Sequence, residues 1–290
     1  MRLSRRRLIL GGLGLAGFLG TGTAGYGVDA AARELRVTEY RLTPPGWPPE
    51  HRLTIAVVAD LHAGGPNMGL ERIRQVVDAA NGLAADLIVL LGDYFATHLF
   101  VTERVAHADW AAELARLSAP LGVWAILGNH DWWYDIDGAR NALEAVRIPV
   151  LENAAIALGP PGRRFWLAGL GDQMAIRLGR GRYRGVDDLA GTLAQVRGEE
   201  PVILLAHEPD IFPQVPARVA LTLVGHTHGG QLRIPLVWPL LVPSRFGARF
   251  AYGHIVEDAR HMIVSGGLGT SVVPARVGVP PEIVHVVLGG

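Results

Sequence analysis

Five apolar runs in this chain end abruptly in histidine, aspartate or asparagine. They read Val57-Val58-Ala59-Asp60-Leu61-His62, Val89-Leu90-Leu91-Gly92-Asp93, Ala125-Ile126-Leu127-Gly128-Asn129-His130-Asp131, Ile203-Leu204-Leu205-Ala206-His207 and Leu223-Val224-Gly225-His226-Thr227-His228. Short runs of Val, Ile, Leu and Ala bounded by glycine or polar residues fit strands buried on both faces. Between the first of them lie stretches with a helical period. Leu70 to Ala80 places Ile73, Val76, Val77 and Ala80 on one face, and Ala108 to Leu117 and Gly138 to Val146 repeat the pattern. Strands alternating with amphipathic helices predict an α/β fold with parallel strands.

The second half is richer in strands. Candidates are Val150–Leu158, Phe165–Leu170, Val202–Ala206, Ala220–Val224, His261–Ser265 and Ile283–Leu288, with one helix near Val186–Val196. The Gly/Arg-rich stretch Leu178–Gly185 reads as a solvated loop. No repeat, low-complexity segment or linker follows residue 35. One compact domain over residues 35–290, with two sheets, is the expectation.

In an open α/β sheet the carboxyl ends of parallel strands form the crevice where ligands bind. Five such ends deliver Asp60, His62, Asp93, Asn129, His207, His226 and His228 to one place. The pairs Asp60/His62 and His226/His228 have i, i+2 spacing, which in extended chain points both side chains to one side. Glycine before Asp93, Asn129 and His226 permits a sharp turn. Taken singly, an Asp-x-His or Gly-Asp after a strand is a turn or a cap, and a lone His207 is a hydrogen-bonded core histidine. Taken together, they form a set of oxygen and nitrogen donors suited to Mn, Fe or Zn. Seven donors exceed the needs of one tetrahedral ion and match two divalent ions ~3.5–4 Å apart that share a carboxylate.

Composition removes competing chemistries. The chain has no cysteine, which excludes disulfides, thiolate metal sites and cysteine nucleophiles. It also has no lysine: all 27 basic residues are arginine, so Schiff-base chemistry and the P-loop lysine are excluded. With 27 acidic residues the formal charge is zero, which argues against dedicated nucleic-acid binding.

The first thirty residues read as an address. A charged start, Met1-Arg2-Leu3-Ser4-Arg5-Arg6-Arg7-Leu8-Ile9, precedes a Gly/Ala/Leu-rich run to about Gly20. This is the pattern of a secretory signal, and Ser4–Ile9 resembles the twin-arginine export motif, read by export machinery. The other readings of residues 1–30 are an uncleaved N-terminal anchor or a basic tail. The export reading is the leading one, and it places the body of the protein outside the cytoplasm, in the periplasm or on the outer face of the cytoplasmic membrane. Without residues 1–24 the chain is acidic, so any phosphate it handles is expected to be held by local charge such as a metal.

The five blocks, in this order, resemble the calcineurin-like metallophosphoesterases, whose pattern is D-x-H, G-D, G-N-H-[DE], a lone His and G-H-x-H. The match runs over about residues 50–290. The segments Gly229-Gly230-Gln231, Gly266-Gly267-Leu268-Gly269-Thr270-Ser271 and Pro280-Pro281-Glu282-Ile283 resemble the bacterial branch of exported or membrane-associated phosphodiesterases. The resemblance implies a four-layer α/β/β/α sandwich of two mixed sheets flanked by helices. It implies one ion on Asp60, His62, Asp93 and His228, and a second on Asp93, Asn129, His207 and His226. It further implies a catalytic role for His130 beside the phosphoryl group. The acidic residue that orients this histidine in many relatives, three positions after the bridging Asp, is Ala96 here, so the sequence names no partner for His130. Asp131 is assigned to neither ion. A phosphodiesterase, acting as a monomer, is the leading expectation. The alternatives are a phosphomonoesterase or protein phosphatase, and an inactive metal-binding scaffold.

Two segments flank these motifs. Trp132, Trp133 and Tyr134 follow the third block; loop packing against the core is the plainer reading, stacking on a substrate the sharper one. Leu232 to Pro243 is apolar but broken by Pro235, Pro239 and Pro243, which argues against a helix or central strand. It reads as a loop folded on the core or as an apolar rim for a lipid-linked substrate.

Overall fold

The computed structural model describes residues 33–97, 100–233 and 242–290. The signal-like segment 1–30 and the centre of the proline-broken run, 234–241, lie outside the described residues.

Two mixed sheets stack face to face. The first has the order β1 (Arg36–Leu42), β13 (Glu282–Leu288), β2 (Leu53–Val58), β3 (Leu87–Leu90), β4 (Val123–Ala125). The second has the order β11 (Gly253–Glu257), β12 (Arg260–Val264), β10 (Val219–Val224), β9 (Val202–Leu205), β6 (Phe165–Gly169), β5 (Ala154–Leu158). Strands β2, β3 and β4 are parallel, as are β6, β9, β10 and β12. The chain returns at its end to insert β13 antiparallel to β2, which seals the middle of the first sheet.

The period of two in the central strands explains the layering. Ile55 and Val57, with Leu87 and Val89, face Ile203, Leu205, Leu221 and Leu223 across the sandwich. Their neighbours Ala56, Val58, Ile88 and Leu90 face outward onto helices. Those helices are α1 (Leu70–Gly82), α2 (His107–Leu114) and α4 (Ile136–Ala145), which bring Ile73, Val76, Val77, Trp110, Leu114 and Leu143. The far face of the second sheet is covered more thinly, by Leu189 and Leu193 of the short α5 (Leu189–Leu193) and by Ile211, Phe212 and Phe250. Each fully buried Leu, Ile, Val or Phe favours this arrangement by ~1.5–3 kcal/mol over exposure. The expected α/β/β/α sandwich is the observed fold.

Three local expectations change. The segment read as a solvated loop contains a hairpin, β7 (Ile176–Gly179) and β8 (Arg182–Arg184), closed by Arg180 and Gly181 in left-handed conformation. The helix expected over Val186–Val196 is only the single turn α5, capped by the Asp188 side chain accepting from Gly191. Edge strands β1 and β11 escape a reading based on apolar runs, because every second residue is exposed.

Candidate metal centre

The five strand ends do converge, but not by extended geometry. β2 has already ended at Val58, and Asp60 and His62 sit at φ 53° and 46°. Asp93, His226 and His228 are likewise left-handed, at 58°, 67° and 51°. The i, i+2 pairs therefore converge through tight loops rather than along a strand. Left-handed backbone at a non-glycine residue costs on the order of 1–3 kcal/mol and persists only where its surroundings fix it. Here neighbouring loops brace one another: His62 N–H donates to Asp93 O at 2.8 Å, and Asp60 N–H to Gly92 O at 3.2 Å. Of the motif glycines, Gly92 supplies a positive φ of 91°. Gly128 is needed for space instead, since a Cβ there would lie 2.4 Å from Asp93 Oδ1.

All seven donors are buried. Nε2 of His62 and Nε2 of His228 face each other at 3.1 Å, with Asp93 Oδ2 3.5 Å from the first and Asp60 Oδ1 3.6 Å from the second. Beside them, Asn129 Oδ1 lies 2.8 Å from His226 Nδ1 and 3.1 Å from His207 Nε2. Asp93 Oδ2 is 3.3 Å from that same His207 nitrogen. One carboxylate oxygen thus belongs to both clusters.

The outward atoms are tied back, which aims the inward lone pairs. Asp93 Oδ1 accepts from the His130 N–H at 2.8 Å. His207 Nδ1 donates to Leu91 O at 2.7 Å, leaving Nε2 as the lone pair. His226 Nε2 donates to Pro243 O at 3.0 Å, leaving Nδ1. The residues fit two divalent ions: seven buried oxygen and nitrogen donors in two adjoining groups, sharing Asp93.

Electrostatics show how uncomfortable these groups are together. Burial pushes the Asp60 carboxyl up to about 7. Burial depresses His62 to about 3 and lowers His226 and His228. Asp93 resists its burial: the field of His207, then of His130, holds it well below the usual carboxylate range. His207 is the complement, its own burial outweighed by Asp93, so it is pushed well above 6.5.

His130 is held from both sides. Thr97 Oγ1 hydrogen-bonds Nδ1, and Ser271 Oγ lies 3.4 Å from Nε2. Thr97 is therefore the partner that Ala96 does not supply. Asp131 takes no place among the donors. Its oxygens accept from the N–H groups of Asp93 at 2.9 Å, Tyr94 at 2.9 Å and Gly128 at 2.8 Å, which clips the second block to the third.

Sequence reasoning passes over three further buried charges. Glu208 lies against His207 and His226, its Oε1 without a hydrogen-bond partner among the described residues. Asp172 is close by, pushed well above 3.8 by burial and then by Glu208. Arg276 donates to Gly266 O at 2.7 Å and Gly269 O at 2.8 Å, and its guanidinium lies 3.2 Å from His228 Nδ1. It fastens the glycine loop that packs on Asp60 and His62. Glu208 adjoins a quoted motif, and Asp172 follows a predicted strand in Gly171-Asp172, so both had a signal; Arg276 is remote in sequence and had none.

The donors open into a cleft of about 730 Å³. Trp133, Tyr134, Met174 and Tyr183 form one wall, and Leu232, Val272 and Val273 lie among the other lining residues. Trp133 is thus a cleft residue rather than simple loop packing, its Nε1 donating to Met174 O at 2.8 Å.

Residues 53–230 match the family described as calcineurin-like phosphoesterase. An uncharacterised metallophosphoesterase of Aquifex aeolicus (strain VF5) is 30% identical, over 88% of this chain and 92% of its own. The uncharacterised metallophosphoesterase YkuE of Bacillus subtilis (strain 168) is also 30% identical, over 97% and 96%. A transmembrane protein with metallophosphoesterase domain from Danio rerio is 30% identical over 91% of this chain, which spans 59% of that protein. With the ordered donor set and the double-sheet sandwich beneath it, these matches make the chain a member of the calcineurin-like phosphoesterase family.

Proposed function

We propose that this metal-dependent phosphoester hydrolase is a phosphodiesterase acting outside the cytoplasmic membrane. The observation that carries the diester reading is the cleft. Its walls are largely apolar or aromatic, and Arg177, stacked over Trp133 at 3.8 Å, is the one arginine among its described lining residues. A phosphomonoester brings a second negative charge and three free oxygens, which call for several cations or N–H donors. A diester brings one charge and a second substituent, which calls for room and apolar wall.

Asp60, His62, Asp93 and His228 would hold one ion, and Asp93, Asn129, His207 and His226 the other. Bound there, two divalent ions offset the phosphoester's charge and promote ionisation of water. His130 lines the cleft beside this set. With its ring anchored through Thr97, its Nε2 is placed to hydrogen-bond a phosphoryl oxygen or to hand a proton to the leaving oxygen.

The test compares bis(4-nitrophenyl) phosphate with 4-nitrophenyl phosphate on metal-loaded protein. The diester is expected to be turned over with at least tenfold higher kcat/KM. A preference for the monoester sinks the diester reading. The N-terminal Ser4–Ile9 motif supports export. Replacing Arg5 and Arg6 by Lys in a reporter fusion is expected to retain the reporter in the cytoplasm, and unchanged export counts against the twin-arginine route. The apolar Leu232–Pro243 run supports a substrate with an apolar part, since Leu232 and Pro243 line the cleft.

A further inference from the structure

The β7–β8 hairpin runs Ile176-Arg177-Leu178-Gly179-Arg180-Gly181-Arg182-Tyr183-Arg184, with four arginines and no acid. This is out of character for the chain, where acids outnumber arginines 27 to 23 after residue 24. Every residue from 177 to 184 is exposed. Arg180, Arg182 and Arg184 have no ion-pair partner among the described residues.

The hairpin is fixed at its root. Arg177 and Tyr183 are cross-strand neighbours, and both stack on Trp133, the arginine at 3.8 Å and the tyrosine ring at 5.3 Å and 19°. Trp133 belongs to α3 (Asn129–Tyr134), which begins at a metal-donor residue. The hairpin is therefore anchored at the mouth of the cleft and cannot swing freely from it. Apolar surface accompanies the charge: Leu178 is 49% exposed, and Tyr183, stacked on one face, is still 39% exposed. Val272, also on the cleft rim, is 71% exposed.

We propose that this hairpin docks the protein on an anionic phospholipid surface with the mouth of the cleft towards it. Exposed guanidinium groups without acidic partners match phosphate headgroups, which they bind bidentately. Exposed leucine and tyrosine beside them match the headgroup–acyl boundary, where amphipathic side chains gain by partial burial. A nucleic acid would answer the charge but not the exposed Leu178 and Val272, and Tyr183 is already stacked. The proposal rests on the phosphodiesterase reading only for its purpose, bringing the site to a membrane-borne diester.

Hydrogen exchange in the full-length, metal-loaded chain reads the hairpin locally, independently of its N-terminus. Vesicles of phosphatidylglycerol are expected to protect residues 176–184, and vesicles of phosphatidylcholine are not. Arg180→Ser, Arg182→Ser and Arg184→Ser combined are expected to weaken phosphatidylglycerol binding roughly 100-fold, at about 1 kcal/mol per removed charge. Turnover of soluble bis(4-nitrophenyl) phosphate is expected to stay unchanged in the triple variant. Absence of protection, equal protection by both lipids, or protection by RNA without protection by phosphatidylglycerol overturns the docking surface. Failure of the diester assay with hairpin protection intact overturns the phosphodiesterase reading alone.

Discussion

Thr97 Oγ1 hydrogen-bonds Nδ1 of His130, two residues whose contact closes the rim of the donor set. A hydroxyl there does what an acidic residue does in many relatives, but without its charge. It fixes the ring plane and leaves Nε2 facing the cleft. It offers no carboxylate to stabilise a protonated imidazole, and burial lowers the His130 pKa.

Thr97→Val removes the hydrogen bond while keeping the shape. It is expected to lower kcat for a soluble diester roughly tenfold with KM nearly unchanged, as loss of orientation does. Thr97→Ser is expected to restore most of kcat. If valine and serine variants fall equally, the contact is packing and His130 takes its orientation elsewhere.

Asp93 Oδ2 lies between the clusters, 3.5 Å from His62 Nε2 and 3.3 Å from His207 Nε2, closer to the second cluster than Asp60 Oδ1, which is 4.0 Å from His207. Asp93→Asn is expected to weaken both ions, whereas His228→Ala disturbs mainly the one it shares with His62. Metal content per chain after equilibration in limiting metal measures this directly. Wild-type protein that never exceeds one ion per chain removes the two-metal assignment.

Much of this centre was legible because each donor sits directly after an apolar strand, and strand ends are where an α/β sheet gathers chemistry. The structure brings the seven residues together in the order in which the sequence presents them. Their conformation did not follow from the sequence. The i, i+2 spacing suggested extended chain, whereas Asp60 and His62 are left-handed and held there by long-range bonds to the Gly92–Asp93 loop. The β7–β8 hairpin was missed for a related reason. Its arginines and glycines carry no apolar alternation, and what orders it is the stacking of Arg177 and Tyr183 on Trp133, more than forty residues away in sequence.

Gly128 tests the close-packed side of the argument. A Cβ there would meet Asp93 Oδ1 at 2.4 Å and His207 Cε1 at 2.7 Å, two buried groups with no slack. Gly128→Ala is expected to destabilise the protein by about 1–3 kcal/mol, as overpacking does. It should also reduce metal content, because the two residues it displaces are donors. An alanine variant with unchanged melting temperature and full metal content contradicts the packing seen around Asp93.

The pH dependence of metal stabilisation follows from which donors carry protons before metal arrives. His62, His226 and His228 are lowered by burial and are already neutral near pH 7, so they have no proton to give up. Asp60, raised to about 7, and His207, raised well above 6.5, do carry protons through the acidic range. A cation must displace both. In metal-free protein these two raised groups favour the folded state at low pH, and that contribution is lost as pH rises through their folded values. Metal binding has the opposite dependence, since fewer protons compete at higher pH. The difference in Tm between metal-loaded and chelator-treated protein is therefore expected to widen from pH 5 to pH 8, most steeply below about pH 7, where both groups still carry the protons that a cation must displace, and to level off above their folded values. Calorimetric titration in buffers of different ionisation enthalpy is expected to show net proton release near pH 6 that shrinks as pH rises. A Tm difference that stays constant over this range, with no proton release, would mean that Asp60 and His207 are not the groups the ions engage.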